Sequence, residues 1–361
     1  MSPKELWLAS MRMQPVERLP FWPKLDAAYP RAQCAPFDQM SIDEIHDWIG
    51  SDKHMGVGSC LRERRRHTSV DTERSNGLLT TVYRTTHGDL RLVQRFDPGS
   101  QSWHPVQFPV RSAQDIDLMI ELYSDCVAYV DEEALERNRA IAEQIGDTAV
   151  TATTVGESPL MYWVEWLAGV ENAHYLLADH TERVEELFTL IHQSLVQKTR
   201  LVVETSPADL IYFSENTSTT LISPEQYRRY CYPHISDYAS LARDADRLMV
   251  LHMCGHLKDV LQDLSRLPVA GFEAFTSPTL GNTTLLDGRR SCPDKCLVGG
   301  TNATLWTKSA HTIIAQIERD LGELPHHRGT VVTSAGVMTP LCNPQTIREV
   351  CDWVKGYTAR M

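Results

Sequence analysis

Residues 248–256 read Leu248-Met249-Val250-Leu251-His252-Met253-Cys254-Gly255-His256: four apolar residues that run straight into an imidazole, a thiol and a glycine. A short, continuous apolar run with polar residues at its end is the pattern of a strand buried on both faces, as in a parallel sheet. The run is one of a series. Residues 149–155 end in Gly156-Glu157-Ser158-Pro159, residues 210–213 in Ser214-Glu215-Asn216, and residues 271–275 in Thr276-Ser277-Pro278. Residues 296–300 run into Thr301-Asn302, and residues 331–333 into Ser334-Ala335-Gly336. Helical patterns separate them, over 112–126, 132–144 and 159–205. Ser223-Pro224-Glu225-Gln226 caps a further helix with proline at its first turn, and Asn343-Pro344 caps the last. Strands alternating with helices imply right-handed βαβ units and a parallel sheet. Six such strands, with Arg18-Leu19-Pro20-Phe21-Trp22 as a seventh, almost complete an eight-stranded barrel. The expected fold is α/β, a (β/α)8 barrel. A doubly wound sheet shares the alternation, but no glycine-rich dinucleotide turn is present.

The expected organisation is a single barrel domain over 1–361. Residues 1–57 form an N-terminal helical extension with the first strand, and residues 58–110 an inserted β-meander. Ser2-Pro3-Lys4-Glu5 and Ser41-Ile42-Asp43-Glu44 are capping boxes that open two N-terminal helices, the second reaching about Gly50. Thr80–Thr86, the turn His87-Gly88-Asp89 and Leu90–Val93 form an antiparallel hairpin rather than part of the parallel sheet.

Composition narrows the function. With 47 acidic and 35 basic residues the net charge is −12, which argues against nucleic-acid or anionic-membrane partners, both of which need a positive footprint. The run Arg62-Glu63-Arg64-Arg65-Arg66 reads as a solvated face. No apolar run approaches the roughly 20 residues of a spanning helix. Residues 1–13 carry Lys4, Glu5 and Arg12 and lack the apolar core of a signal peptide. Nine scattered cysteines fit free thiols in a reducing compartment, so a cytoplasmic location is expected.

Polar residues collect just after the strands: Glu157, Glu215, His252, Thr276, Asn302 and Ser334. The C-terminal rim is where barrel enzymes hold their chemistry. In extended chain, residues i and i+2 face the same way, so His252 and Cys254 can offer a nitrogen and a thiolate to one metal. A core histidine beside a free thiol is the other reading. Cys292 and Cys296 lack a second pair and precede a strand, at the opposite rim.

Here the residues resemble a known family. His252-Met253-Cys254-Gly255 is similar to the zinc element of cobalamin-dependent methyltransferases acting on coenzyme M, and of cobalamin-independent methionine synthase. Thr220–Tyr227 with Tyr232-Pro233, Gly299-Gly300-Thr301-Asn302, and Ser334-Ala335-Gly336-Val337 with Asn343-Pro344 resemble other blocks of the uroporphyrinogen decarboxylase and methyltransferase superfamily. The resemblance covers residues 145–358 well and the first 110 loosely. It implies a zinc-dependent methyltransferase that moves a methyl group between a small substrate and a corrinoid. The substrate would be a methyl ether, such as an O-methylated aromatic, or a thiol acceptor. No corrinoid domain is evident in the chain, so the corrinoid is expected on a partner protein that docks at the barrel mouth.

The resemblance also implies site residues. His252 and Cys254 would hold zinc with a third ligand from Cys342, Glu273 or Glu215. Glu157 and Glu215 would position substrate, and Thr276 and Asn302 would contact the cofactor. The coenzyme M enzymes place their third cysteine where this chain has Ala335, and Cys342 lies seven residues further on. Two other readings stand behind this one. A decarboxylase-like lyase would need the arginine-rich loop that uroporphyrinogen decarboxylases carry after the first strand; here Phe21–Arg31 holds one lysine and one distant arginine. A non-catalytic metal- or corrinoid-binding protein would not need polar groups on so many strand ends.

Overall fold

The structure is a computed structural model that describes residues 1–361. Fourteen strands are present: β1 (Phe21–Trp22), β2 (Lys53–Gly56), β3 (Leu61–Arg64), β4 (Ser69–Ser75), β5 (Leu78–Arg84), β6 (Asp89–Asp97) and β7 (Ser102–Gln107), then β8 (Val127–Val130), β9 (Ala149–Gly156), β10 (Leu210–Ser214), β11 (Leu248–His252), β12 (Gly271–Phe275), β13 (Cys296–Gly299) and β14 (Thr330–Thr333). Eight of them form one parallel sheet in the order β1-β14-β13-β12-β11-β10-β9-β2. This is the expected α/β barrel, with helices around it. No helix is long and apolar enough to cross a membrane.

Strand parity builds the two cores. Val150 and Ala152 of β9, Leu210 and Tyr212 of β10, and Val250 of β11 point into the lumen, where Trp7 and Met11 of the helix Pro3–Met11 join them. The intervening residues, such as Ile211, Phe213, Met249 and Leu251, face outward into a cluster of 66 buried residues shared with the surrounding helices. The period of two therefore carries the next lumen position of β11 to His252. Phe272 faces out, so its neighbour Glu273 faces in.

β1 and β2 stand at the two ends of the ladder, so the barrel closes across a seam between them. Asp52 makes that closure. Its amide donates to the Phe21 carbonyl at 2.8 Å, and its carboxylate accepts from the Phe21 amide at 3.0 Å. Arg18 grips the same carboxylate with both terminal nitrogens, at 2.7 and 2.6 Å. The Trp7 indole donates to the Asp52 carbonyl at 3.0 Å and so locks the N-terminal helix beneath the seam.

The sequence reading missed β2, the eighth barrel strand. Lys53-His54-Met55-Gly56 has no apolar signature, because His54 does the work of a core residue, stacked on Trp22 at 4.6 Å between ring centroids. Residues 1–57 thus supply two barrel strands, not one. The inserted region also differs from a single meander. β4-β5-β6-β7 form the antiparallel sheet, while β3 pairs with the unforeseen strand β8.

Removing the Asp52 carboxylate strands the half-buried Arg18 and opens the seam. Asp52→Ala should destabilise the fold by about 3 kcal/mol, the lower end of what breaking a buried ion pair costs. Denaturant unfolding of the variant against wild type checks this.

Candidate active site at the barrel mouth

His252 closes β11 and lies in register opposite Glu273 of β12. Glu273 is 1% exposed. Its Oε1 accepts from Lys24 Nζ at 2.8 Å and its Oε2 bonds the Nδ1 of His252, while Lys24 Nζ lies 3.3 Å from that same nitrogen. Burial alone would raise the Glu273 carboxyl; the Lys24 charge, then His252, outweigh it and hold its pKa at about 2. Burial alone would lower His252; the Glu273 carboxylate outweighs it and raises its pKa to about 9. The carboxylate fixes Nδ1 as a donor and leaves Nε2 as the nitrogen available to a further partner. Metal-ligating histidines are commonly oriented by a carboxylate in this way.

Cys254 lies two residues beyond, exposed to solvent. Its thiol donates to Asn216 Oδ1 at 3.6 Å, and Asn216 Nδ2 donates to Glu165 Oε2 at 3.0 Å. Gly255 explains the end of the motif: a Cβ there would meet Ser218 Cβ at 2.3 Å and the Thr217 carbonyl at 2.5 Å. The close approach pins the loop after β11 to the loop after β10, reinforced by the His256 amide donating to Ser218 Oγ at 3.0 Å. Lys24 and Asn216 both hold left-handed backbone, with φ of 44° and 43°. Such conformations cost about 1–3 kcal/mol each and gather at functional sites.

Three carboxyl groups lie on the other side of Asn216. Glu215 is fully buried and accepts from the Ser158 amide at 2.6 Å and hydroxyl at 2.7 Å. Burial pushes its pKa up to about 7, against those two bonds. Burial also pushes Glu157 well above the ordinary carboxylate range, with the charges of Glu165 and Glu215 adding to the effect. Glu165 is raised likewise by burial, partly offset by its bond from Asn216 and by the charge of His252. One oxygen of each, Glu157 Oε2 and Glu165 Oε1, is buried without a hydrogen-bond partner. Glu165 escaped the sequence reading. It sits on a π-helical turn, Trp163–Leu167, which displaces it from the regular helical period. A charge between Val164 and Trp166 in an otherwise apolar stretch was its one signal.

The expected third metal ligands stand elsewhere or are engaged. No three His, Cys, Asp or Glu side chains gather as a metal-holding group. Cys342 is buried in the loop before the last helix; its thiol lies 3.8 Å from the Asn343 carbonyl, and burial pushes it up to about 12. Both oxygens of Glu215 go to Ser158, and both of Glu273 go to Lys24 and His252. Thr276 donates to the Ala274 carbonyl at 2.6 Å and lies 3.1 Å from that of Ala335, tying β12 to the loop after β14. Asn302 spends its amide on Ser277 and Pro278, and its oxygen on Thr304 and Leu305. What the fold brings together is His252, Cys254 and Glu273, with Lys24, Asn216 and Glu165 beside them. His252 and Cys254 as donor types fit a zinc ion, with the imidazole already aimed by Glu273.

A closed parallel barrel with histidine, cysteine and carboxylates on its strand ends defines an α/β-barrel protein with its site at the C-terminal mouth. The model of the uroporphyrinogen decarboxylase (URO-D) family matches residues 105–357. The chain belongs to that family. Among solved structures it is similar to a methyltransferase from Methanosarcina mazei, at a TM-score of 0.61 and 14% identity over 99% of each chain. At that identity the likeness is one of fold. It also matches a putative vitamin-B12 independent methionine synthase from Listeria monocytogenes, at a TM-score of 0.37 and 16% identity over 62% of this chain and 66% of that one. No curated protein matches the chain.

Glu215 gives the site a pH signature in stability. Its folded pKa of about 7 lies above the ordinary carboxyl value of 4.5, so its contribution is fully present below about pH 4.5 and is lost as pH rises through 7. Between those limits wild type should lose on the order of 3 kcal/mol relative to Glu215→Gln, which has no proton to release. Urea unfolding of both proteins at pH 5 and pH 8 checks the sign.

Proposed function

We propose that this protein is a zinc-dependent methyltransferase that moves a methyl group between a small substrate and a corrinoid carried on a separate protein. The observation that carries the proposal is the imidazole of His252, aimed from behind by Glu273, beside the exposed thiol of Cys254 at the open mouth of the barrel. Membership of the uroporphyrinogen decarboxylase family and the shared fold with a methyltransferase from Methanosarcina mazei support it.

In this reading His252 Nε2 and Cys254 Sγ hold the zinc ion. Glu165 is a carboxylate joined to Cys254 through Asn216, with one oxygen unpartnered. Bound zinc supplies Lewis acidity, toward an ether oxygen that must leave or a thiol that must lose its proton. The chain's own residues do the rest. Glu273 holds Nδ1–H and so fixes the imidazole plane; Lys24 keeps Glu273 ionised; Asn216 positions both the thiol and Glu165. Glu157, kept protonated by burial and neighbouring charge, is a proton donor at the edge of the site. The corrinoid partner would dock over the mouth. All nine cysteines are free thiols, which supports a cytoplasmic setting.

The decarboxylase reading is weaker for a concrete reason. Lys24, the one cation near the mouth in the loop after β1, is held by Glu273, and Arg31 is bonded to Gln101. A substrate with many carboxylates needs free, fixed positive charge there. Uroporphyrinogen should therefore pass unchanged through a direct assay, and accumulation of coproporphyrinogen would reverse the ranking.

Elemental analysis after zinc loading should find about one zinc per chain. Cys254→Ala should lose it, and Glu273→Gln should weaken zinc affinity by about 10–100-fold, the usual effect of removing a carboxylate behind a ligating histidine. Cys342→Ala should retain zinc. Full zinc content in Cys254→Ala, or its loss in Cys342→Ala, would contradict the assignment.

A further inference from the structure

A second cavity lies beside the mouth, between the inserted sheet and the helix Thr181–Thr205. Its volume is about 270 Å3. The end of β9 forms one wall with Val155, Gly156 and Glu157, and the long helix faces it with Ile191, Ser194, Leu195 and Lys198. Glu63, Arg65 and Tyr83 come from the inserted region, and Leu122, Tyr123 and Tyr162 close the sides. Gly156 keeps β9 close to the helix, since a Cβ there would meet Leu195 Cδ2 at 2.8 Å.

Three features make this a built site rather than a packing gap. First, polar atoms line it without partners. Ser194 is 7% exposed and its hydroxyl has none, and Glu157 Oε2 is buried and equally unanswered. Buried polar groups are ordinarily hydrogen-bonded, so each such atom calls for an occupant. Second, the hydroxyls of Tyr83, Tyr123 and Tyr162 sit against one another, and burial raises all three so that they stay protonated. Third, the charge is uneven. Arg65 Nη2 donates to Glu63 at 2.7 Å and Lys198 Nζ to the other Glu63 oxygen at 2.5 Å, two cations against one carboxylate. An ammonium has three donors, and Lys198 has committed one to Glu63. The Arg62–Arg66 run, expected to be a solvated face, thus turns Arg65 inward: its side chain is 10% exposed, against 63% for Arg62.

We infer that this cavity is a binding site for a small ring-bearing monoanion, with its anionic group at Lys198 and Arg65 and its ring between the tyrosines and the aliphatic wall. The volume lies just below the usual range for small-molecule sites and suits one ring with a substituent. Apolar walls with a few convergent polar groups are the ordinary make-up of a small-molecule site. The single unmatched positive charge selects one negative charge on the ligand. Glu157 lines the cavity and is also electrostatically tied to Glu165, so an occupant reaches the edge of the His252–Cys254 site. The inference does not rest on the methyltransferase reading, because binding here needs neither metal nor corrinoid.

The test is calorimetric titration of the metal-free full chain with benzoate and, as its neutral counterpart, benzyl alcohol. Benzoate should bind saturably with a Kd near or below about 1 mM. Lys198→Met should weaken benzoate by about tenfold or more and leave benzyl alcohol unchanged. Lys198→Arg should retain benzoate, and Ser194→Leu, which fills the cavity, should abolish both. Should Lys198→Met fail to fold, the wild-type protein still decides: nuclear Overhauser contacts between benzoate ring protons and tyrosine ring protons are expected. No saturable benzoate binding up to about 10 mM, equal benzoate affinity in a folded Lys198→Met, or saturable binding without tyrosine contacts would each overturn the inference.

Discussion

Glu273 is a carboxylate buried inside the top of a parallel barrel, and much of the site follows from how its charge is answered. An isolated ion there would cost several kcal/mol in lost hydration, so it persists only with opposite charge against it. Lys24, from the loop after β1, and His252, at the end of β11, provide that charge from the two flanking directions. Each is placed by the fold: β12 pairs with β11, and β1 reaches the same end of the barrel through β14 and β13. Closure at Asp52 fixes where β1 lies, and with it where Lys24 can reach. The stability of the barrel and the aim of the imidazole are therefore one problem with one solution.

That arrangement explains why His252 is not an ordinary core histidine, although it occupies a lumen position. His54, one layer below, is the contrast. It is packed among Trp22, Trp7 and Tyr212, and desolvation lowers its pKa to about 4, so it stays neutral and acts as an aromatic filler. His252 faces a carboxylate on one side and a solvent-exposed thiol on the other. The same side chain serves packing in one layer and, in the proposed site, metal binding in the next, and the neighbouring charge sets the two apart.

The sequence made the strand ends legible because parallel strands buried on both faces must be apolar, so the first polar residue after each run marks the rim. Glu157, Glu215 and His252 were visible in this way, whereas Glu273 lies inside the run of β12 and came into view only through the family resemblance. β2 was invisible for the opposite reason: a lysine anchored to Asp43 and Asp47 and a histidine used as a core residue carry no hydrophobic signal. Glu165 was hidden by the π-helical turn, which a 3.6-residue period does not anticipate. Cys342 looked available along the chain, yet its loop folds inward, with the Tyr29 hydroxyl bonding its carbonyl at 2.7 Å, and buries the thiol. Proximity in sequence to a strand end says little about which way a long loop turns.

The central claim is that His252 and Cys254 form one metal centre. X-ray absorption spectroscopy of the protein loaded with substoichiometric zinc tests it most directly, because it reads the atoms around the ion. One sulfur scatterer is expected at about 2.3 Å together with nitrogen or oxygen at about 2.0–2.2 Å, the sulfur vanishing in Cys254→Ala. A first shell of nitrogen and oxygen alone, or a sulfur signal that survives in Cys254→Ala, would contradict it.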